Sequence, residues 1–81
     1  MKDWYVYIIE TFNNKLYTGI ALDPKERFGK HQSGKGAKFF RISPPKRIVY
    51  IEKVGEKSLA LKREIAIKKM PRAKKQDLFN N

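Results

Sequence analysis

The longest apolar run of the chain is Trp4-Tyr5-Val6-Tyr7-Ile8-Ile9, which lies between Asp3 and Glu10. Aromatic and β-branched side chains favour strands, and a run without polar alternation is typical of a strand covered on both faces. The stretch therefore predicts a buried strand against which the other elements pack. It is far too short to span a membrane, since a spanning helix needs about 20 apolar residues.

The segment that follows predicts a hairpin. Asn13-Asn14 separates the first strand from a second strand-like stretch, Lys15-Leu16-Tyr17-Thr18-Gly19-Ile20. Paired asparagines tolerate the positive φ that a tight hairpin turn requires. We therefore expect the first two strands to pair in antiparallel fashion.

A helix start follows the hairpin. Asp23 is placed as the N-cap, Pro24 as the first helical residue and Glu26 three residues after the cap. The helix is predicted to run to about Ser33. The stretch from Ser33 to Pro45 is then expected to form a basic loop or a short irregular helix.

The second half of the chain predicts one strand and two helices. Residues 47–54 are β-branched and lie between prolines and Gly55, so they indicate a third strand. Residues 56–70 contain no glycine or proline and favour a long helix, which Pro71 ends. Residues 72–79 are expected to form a last short helix. The order β-β-α-β-α-α predicts an α+β fold, a small three-stranded antiparallel sheet flanked by helices, in a single domain spanning residues 1–81.

Composition excludes several classes of protein. A chain of 81 residues allows one small domain. It contains no cysteine, which excludes disulfides, a thiolate zinc site and a cysteine nucleophile. His31 is the only histidine and cannot by itself build a histidine metal site.

The charge balance indicates the kind of partner. Lys and Arg number 19 against 8 Asp and Glu, a formal net charge of +11. The first 24 residues are nearly neutral, so almost all of the excess lies beyond them. The excess is larger than the roughly 2–8 charges that solubility alone asks of a small domain. A polyanion, nucleic acid above all, is the expected partner.

The same charge has two alternative uses. Lysines can simply keep a small domain soluble. They can also bind an anionic membrane surface, but here the basic residues are interleaved with glycines and prolines and do not lie opposite an apolar stripe. We expect no membrane partner. The N-terminus lacks the apolar segment of a secretory signal, which predicts a cytoplasmic location.

Two tripeptides and three later residues carry a resemblance to a known family. Tyr5-Val6-Tyr7 and Tyr17-Thr18-Gly19 resemble the two halves of the GIY-YIG nuclease signature. Arg27, His31 and Glu64 fall where that family has its arginine, a frequent histidine and its metal-binding glutamate. The resemblance covers nearly the whole chain, which is similar to small stand-alone bacterial GIY-YIG proteins, and it implies the GIY-YIG fold.

The resemblance also implies roles for these residues. Glu64 would hold a single Mg²⁺ or Mn²⁺, and Arg27 would clamp the scissile phosphate. Tyr17 would be the general base or orient the attacking water, while Tyr7 would position it or contact the phosphate. His31 would be a second base, a phosphate donor or simply a histidine that stabilises the helix end. Without the family, the two tyrosines are better explained as core aromatics, and Glu64 fits an ion pair with a lysine one turn later.

Other positions belong to the motif or to the basic surface. Gly19 closes the second tripeptide, and Ile20 follows where the excision-repair branch of the family has a lysine. Six basic residues are expected to contact backbone phosphates: Lys35, Lys38, Arg41, Arg72, Lys74 and Lys75.

The sequence as a whole predicts a monomeric, metal-dependent endonuclease that acts on nucleic acid. DNA is preferred over RNA as the substrate, and a structure-specific or repair-related role is expected. Two alternatives remain open at this point. One is a nucleic-acid-binding module with the same fold that does not cleave, and the other is a basic subunit that docks on an RNA-rich assembly.

Overall fold

The structure, a computed structural model, describes residues 2–80. The elements in chain order are β1 (Trp4–Thr11), β2 (Leu16–Ala21), α1 (Pro24–Gln32), α2 (Phe39–Ile42), β3 (Pro45–Gly55), α3 (Lys57–Lys68) and α4 (Arg72–Asp77). The strands form one antiparallel sheet in the order β2-β1-β3. The predicted α+β architecture is confirmed.

Strand β1 is the middle of the sheet and is buried on both faces, as its composition predicts. Val6 and Ile8 point to one face, and Tyr7 and Ile9 point to the other. The exposed fraction of each of these four side chains is 1% or less. No polar alternation is needed in a strand that has no solvent-facing side.

The two faces are covered by different helices. Ala60 and Ile67 of α3 pack against Val6 and Ile8. On the other face, Phe40 of α2 packs with Tyr7 and Ile9, and half-buried Phe28 of α1 lies beside them. The sheet therefore separates two small apolar clusters. Tyr7 and Tyr17 both belong to the second cluster.

The hairpin turn forms where the paired asparagines predict it. Asn14 has a φ of 63°, the left-handed conformation that asparagine tolerates. The buried hydroxyl of Thr11 accepts a hydrogen bond from the Lys15 N–H at 2.8 Å and donates one to Asn13 Oδ1 at 2.6 Å. These bonds fix the turn and hence the register of β2 on β1.

The prediction of the remaining elements is confirmed, with shifted boundaries. Asp23 caps α1 as predicted, because its Oδ1 accepts from the Glu26 N–H at 3.1 Å. Strand β3 begins two residues earlier than predicted, at Pro45, which pairs with Thr11. Proline is tolerated as the first residue of a strand because the ladder does not need its missing N–H there. The basic stretch contains the one-turn helix α2.

An ion pair ties α3 to the sheet. Arg63 donates hydrogen bonds to both carboxylate oxygens of Glu52, from Nε to Oε2 at 3.0 Å and from Nη2 to Oε1 at 3.1 Å. The Tyr50 hydroxyl donates to the same carboxylate. The bidentate geometry fixes how α3 lies across β3.

Two buried threonines offer a matched test of this packing. The hydroxyl of Thr18 is buried and finds no hydrogen-bond partner among residues 2–80, whereas that of Thr11 is fully used. An unpaired buried hydroxyl costs about 1–3 kcal/mol. We expect Thr18→Val to raise the free energy of unfolding by ~1 kcal/mol and Thr11→Val to lower it by ~1 kcal/mol or more. Urea denaturation of both variants measures this, and equal effects of the same sign would contradict it.

Candidate active site

The two signature tripeptides meet across the β1–β2 pair. Tyr7 lies opposite Gly19, and Ile9 lies opposite Tyr17. The phenol of Tyr7 lies directly over Gly19, since a Cβ at that glycine would come within 2.6 Å of Tyr7 Oη and 2.7 Å of Cζ. Gly19 is therefore required because any side chain would occupy the place of the Tyr7 ring.

His31 joins the tyrosines from α1. Its side chain is only 3% exposed, and its Nε2 is hydrogen-bonded to Tyr7 Oη at 3.0 Å. The N–H of Ala37 donates to the other ring nitrogen, Nδ1, at 3.2 Å. Burial lowers the pKa of His31, and the neighbouring Arg27 guanidinium lowers it further.

Tyr17 lies at the border between this buried pair and the surface. Its ring centroid is 6.3 Å from that of Tyr7 and 5.6 Å from that of His31. Phe39 and Phe40 of α2 contact its other side, at centroid distances of 5.4 and 4.7 Å. The aromatic cluster thus holds the Tyr17 ring while leaving it partly exposed.

Arg27 on α1 and Glu64 on α3 carry opposite charges, and both act electrostatically on the two tyrosines. Arg27 is exposed on α1 and lines a depression of about 500 Å³ together with Tyr5 and Asp23. Its guanidinium forms no ion pair with any carboxylate of residues 2–80. The side chain of Glu64, on α3, is 16% exposed, and its Oε2 lies 3.5 Å from Lys68 Nζ. The contact with a lysine one turn later, on which the ion-pair interpretation of Glu64 depends, is therefore present.

Both phenols are affected by these charges. Burial raises the pKa of Tyr7 and of Tyr17, and the Glu64 carboxylate raises both as well. The Arg27 guanidinium acts in the opposite direction on each. Tyr7 and Tyr17 are accordingly protonated at neutral pH, and each can donate a hydrogen bond.

The donor set around Glu64 fits a hard cation that keeps most of its water. Among residues 2–80, no group of three or more histidine, cysteine, aspartate or glutamate side chains could hold a metal ion. One carboxylate, completed by water and phosphate oxygens, suits Mg²⁺ or Mn²⁺ and does not suit zinc, which needs three or four protein ligands.

The structure also gathers part of the predicted basic surface. Arg72 and Lys75 of α4 line a shallow pocket of about 270 Å³ together with Lys15, Leu16 and Phe39. The pocket adjoins the cluster because Phe39 contacts Tyr17. None of the six predicted phosphate-binding residues forms an ion pair with a carboxylate in the described part of the chain. Lys35, Lys38 and Arg41 do not line that pocket and are exposed in and around α2.

Sequence reasoning missed four residues of this region. Lys15 and Phe39 line the basic pocket, and Gly36 and Ala37 contact His31. The sequence signal for Gly36 and Ala37 was a glycine shortly after the only histidine, but such a glycine predicts only the end of a helix.

A family model described as the GIY-YIG catalytic domain matches residues 3–77. The chain therefore belongs to the GIY-YIG family, within the nuclease superfamily, as the two tripeptides predict.

Its relatives are small bacterial proteins. The UPF0213 protein YhbQ of Escherichia coli K12 is 44% identical over 78 residues, which cover 96% of this chain and 78% of YhbQ. A UPF0213 protein of Pseudomonas aeruginosa is 47% identical over 78 residues, covering 96% of this chain and 75% of that protein. The solution NMR structure of a UPF0213 protein from Bacillus halodurans superposes with a TM-score of 0.59 at 39% identity, covering 94% of this chain and 81% of that one.

Within residues 2–80, every helix is too short or too polar to cross a bilayer.

Replacing Gly19 tests the close approach of Tyr7. We expect Gly19→Ala to lower the free energy of unfolding by about 1–3 kcal/mol, because the added methyl collides with the Tyr7 ring. Gly29→Ala is the matched control, since a Cβ there meets no atom within 4 Å. It should raise the free energy of unfolding by about 0.5–1 kcal/mol, as alanine favours a helix. Thermal and urea unfolding measure the stability of both variants. Equal stability would refute the close contact between the Tyr7 ring and Gly19.

Proposed function

We propose that this protein is a metal-dependent endonuclease that hydrolyses phosphodiester bonds in nucleic acid, with DNA preferred over RNA. The observation that carries the proposal is the contact of Tyr7, Tyr17 and His31 within a GIY-YIG domain, with the charges of Arg27 and Glu64 acting on both phenols.

Arg27 suits the phosphate, and Glu64 suits the cation. Arg27 has no carboxylate partner in residues 2–80, so its fork of donors is free for a non-bridging phosphate oxygen. Glu64 would hold Mg²⁺ or Mn²⁺, and its carboxylate would exchange Lys68 for the cation. When bound, the metal supplies positive charge to the phosphate and lowers the pKa of a coordinated water.

The tyrosines act through hydrogen bonds at the start of the reaction. Because the pKa of Tyr17 is raised, its hydroxyl enters the reaction protonated and orients the water. A base role for Tyr17 requires that the negative charge of Glu64 be compensated, since that charge and burial together keep the phenol protonated. Tyr7, more deeply buried, positions the cluster and donates toward the phosphate.

The basic surface supplies affinity without sequence readout. Lys15, Arg72 and Lys75 adjoin Tyr17 through Phe39, so a strand bound along them passes the candidate site. Contacts of lysine and arginine with phosphates fix the position of the backbone and carry no base information. The proposed enzyme acts as a monomer and selects nucleic-acid structure, not sequence.

A cleavage assay tests the proposal. Labelled single-stranded, duplex and branched DNA, and RNA, are incubated with the protein in Mg²⁺ or Mn²⁺, with EDTA as a control. We expect metal-dependent cleavage that falls by ~10²-fold or more in Glu64→Gln, Tyr17→Phe and Arg27→Ala, because each removes an electrostatic or acid–base group.

The control for this assay is Glu56→Gln, which makes the same change at an exposed residue that forms no ion pair within residues 2–80. It should cleave as the unmodified protein does. Cleavage that survives in Glu64→Gln comes from a contaminating nuclease or from another mechanism, and the proposal then fails.

One observation favours a second candidate, a binding module that does not cleave. Lys68 already forms an ion pair with Glu64, and burial together with the Glu64 charge keeps both phenols protonated. Under this alternative no substrate is cut, and Glu64→Gln and Tyr17→Phe bind nucleic acid as the unmodified protein does. Affinity then depends only on the basic surface.

The salt dependence of binding tests the basic surface under either function. In Glu64→Gln protein with EDTA, we expect Lys38→Ala and Arg72→Ala each to reduce the slope of log K against log salt by ~1, the value for one lost phosphate contact. Lys53→Ala is the control, since Lys53 already pairs with Asp3 at 3.2 Å. Fluorescence anisotropy at several salt concentrations measures the slopes. Equal slopes for all three variants would show that the positive charge acts diffusely and that Lys38 and Arg72 make no specific phosphate contacts.

A further inference from the structure

The segment after α1 closes tightly over the ring of His31. A Cβ at Gly36 would lie 1.9 Å from His31 Nδ1 and 2.8 Å from Cε1, so no other residue fits at that position without displacing the imidazole. The next residue, Ala37, donates its backbone N–H to Nδ1. Backbone and ring are thus in direct contact on the side of His31 that faces away from Tyr7.

This contact determines which ring nitrogen carries the proton. A backbone N–H can only donate, so the Nδ1 that receives it is unprotonated. In the neutral ring the proton is then on Nε2, the atom 3.0 Å from Tyr7 Oη. His31 therefore donates to Tyr7, and the Tyr7 oxygen accepts.

We propose that Gly36 and Ala37 are positioning residues that lock His31 in the Nε2–H tautomer, so that His31 orients the Tyr7 hydroxyl and does not accept a proton. The inference deepens the proposed function, on which its catalytic part rests. It differs from the roles that the sequence left open for His31, and it excludes that of a second base.

The lock has a consequence for Tyr7. Its oxygen is occupied by the His31 donor, so its own proton is directed to a different acceptor, a water or a phosphate oxygen. A chain of donors thus runs from the Ala37 N–H through His31 and Tyr7 toward the scissile group. The titratable and charged groups that act on this chain are Tyr17, the Arg27 guanidinium and the Glu64 carboxylate. Arg27 lowers the pKa of His31, whereas Glu64 raises that of Tyr7.

The tautomer can be measured directly because His31 is the only histidine of the chain. A long-range ¹H–¹⁵N correlation spectrum of uniformly ¹⁵N-labelled protein distinguishes protonated from unprotonated ring nitrogens without ambiguity of assignment. At neutral pH we expect Nδ1 to show the shift of an unprotonated acceptor and Nε2 that of a protonated nitrogen. The opposite tautomer, an imidazolium or averaged shifts would overturn the inference.

Two substitutions of His31 test the donor role. Glutamine can place an N–H near the position of Nε2 but cannot take up a proton at neutral pH. We expect His31→Gln to retain cleavage within ~10-fold of the unmodified protein while His31→Ala loses ~10²-fold, the scale of a lost acid–base or orienting group. Equal losses in the two variants would overturn the donor role.

The matched pair Gly36→Ala and Gly29→Ala tests the lock itself. We expect Gly36→Ala to lose the single-tautomer spectrum, whereas Gly29→Ala keeps it. An unchanged spectrum in folded Gly36→Ala protein would overturn the lock, and if that variant fails to fold, the spectrum of the unmodified protein decides. The two proposals fail separately: absence of cleavage by the unmodified protein refutes the nuclease, whereas the wrong tautomer refutes only the lock.

Discussion

The burial of β1 on both faces is the constraint on which the rest of the structure depends. A strand whose consecutive side chains all leave water needs a strand on either side for its backbone and a helical layer on either face. β2 and β3 are the flanking strands, and α3 and the α1–α2 segment form the helical layers. This one strand accounts for half of the buried apolar residues among residues 2–80, so displacing it would remove the core.

The same burial creates the candidate site. Tyr7 belongs to the second apolar cluster, yet its hydroxyl must be hydrogen-bonded because it is inside the protein. His31 provides that partner, and glycine at positions 19 and 36 leaves room for the two rings. The site is thus a polar end of a hydrophobic cluster, and its geometry follows from packing as much as from chemistry.

Charge was visible in the sequence but its arrangement was not. The excess of basic residues indicates a polyanionic partner. Within residues 2–80 Arg27 forms no ion pair, and Arg72 and Lys75 line one pocket, and both features agree with such a partner. Periodicity could not show that Lys15, just before β2, joins α4 at this pocket, because nothing local relates residues so far apart. Similarly, the resemblance located Glu64 in the chain, but only the packing of α3 decides that its charge acts on both phenols.

The sequence by itself determined the order of the elements, the hairpin turn at Asn13-Asn14 and the cap at Asp23. These features are local, since propensity, capping and the alternation of a strand act over a few residues. The tertiary structure decided that the Tyr7 ring lies on Gly19, that Glu64 pairs with Lys68 while acting on both tyrosines, and that Ala37 holds His31. These depend on side chains approaching through space, and the space available to each ring is set only when the whole domain is packed.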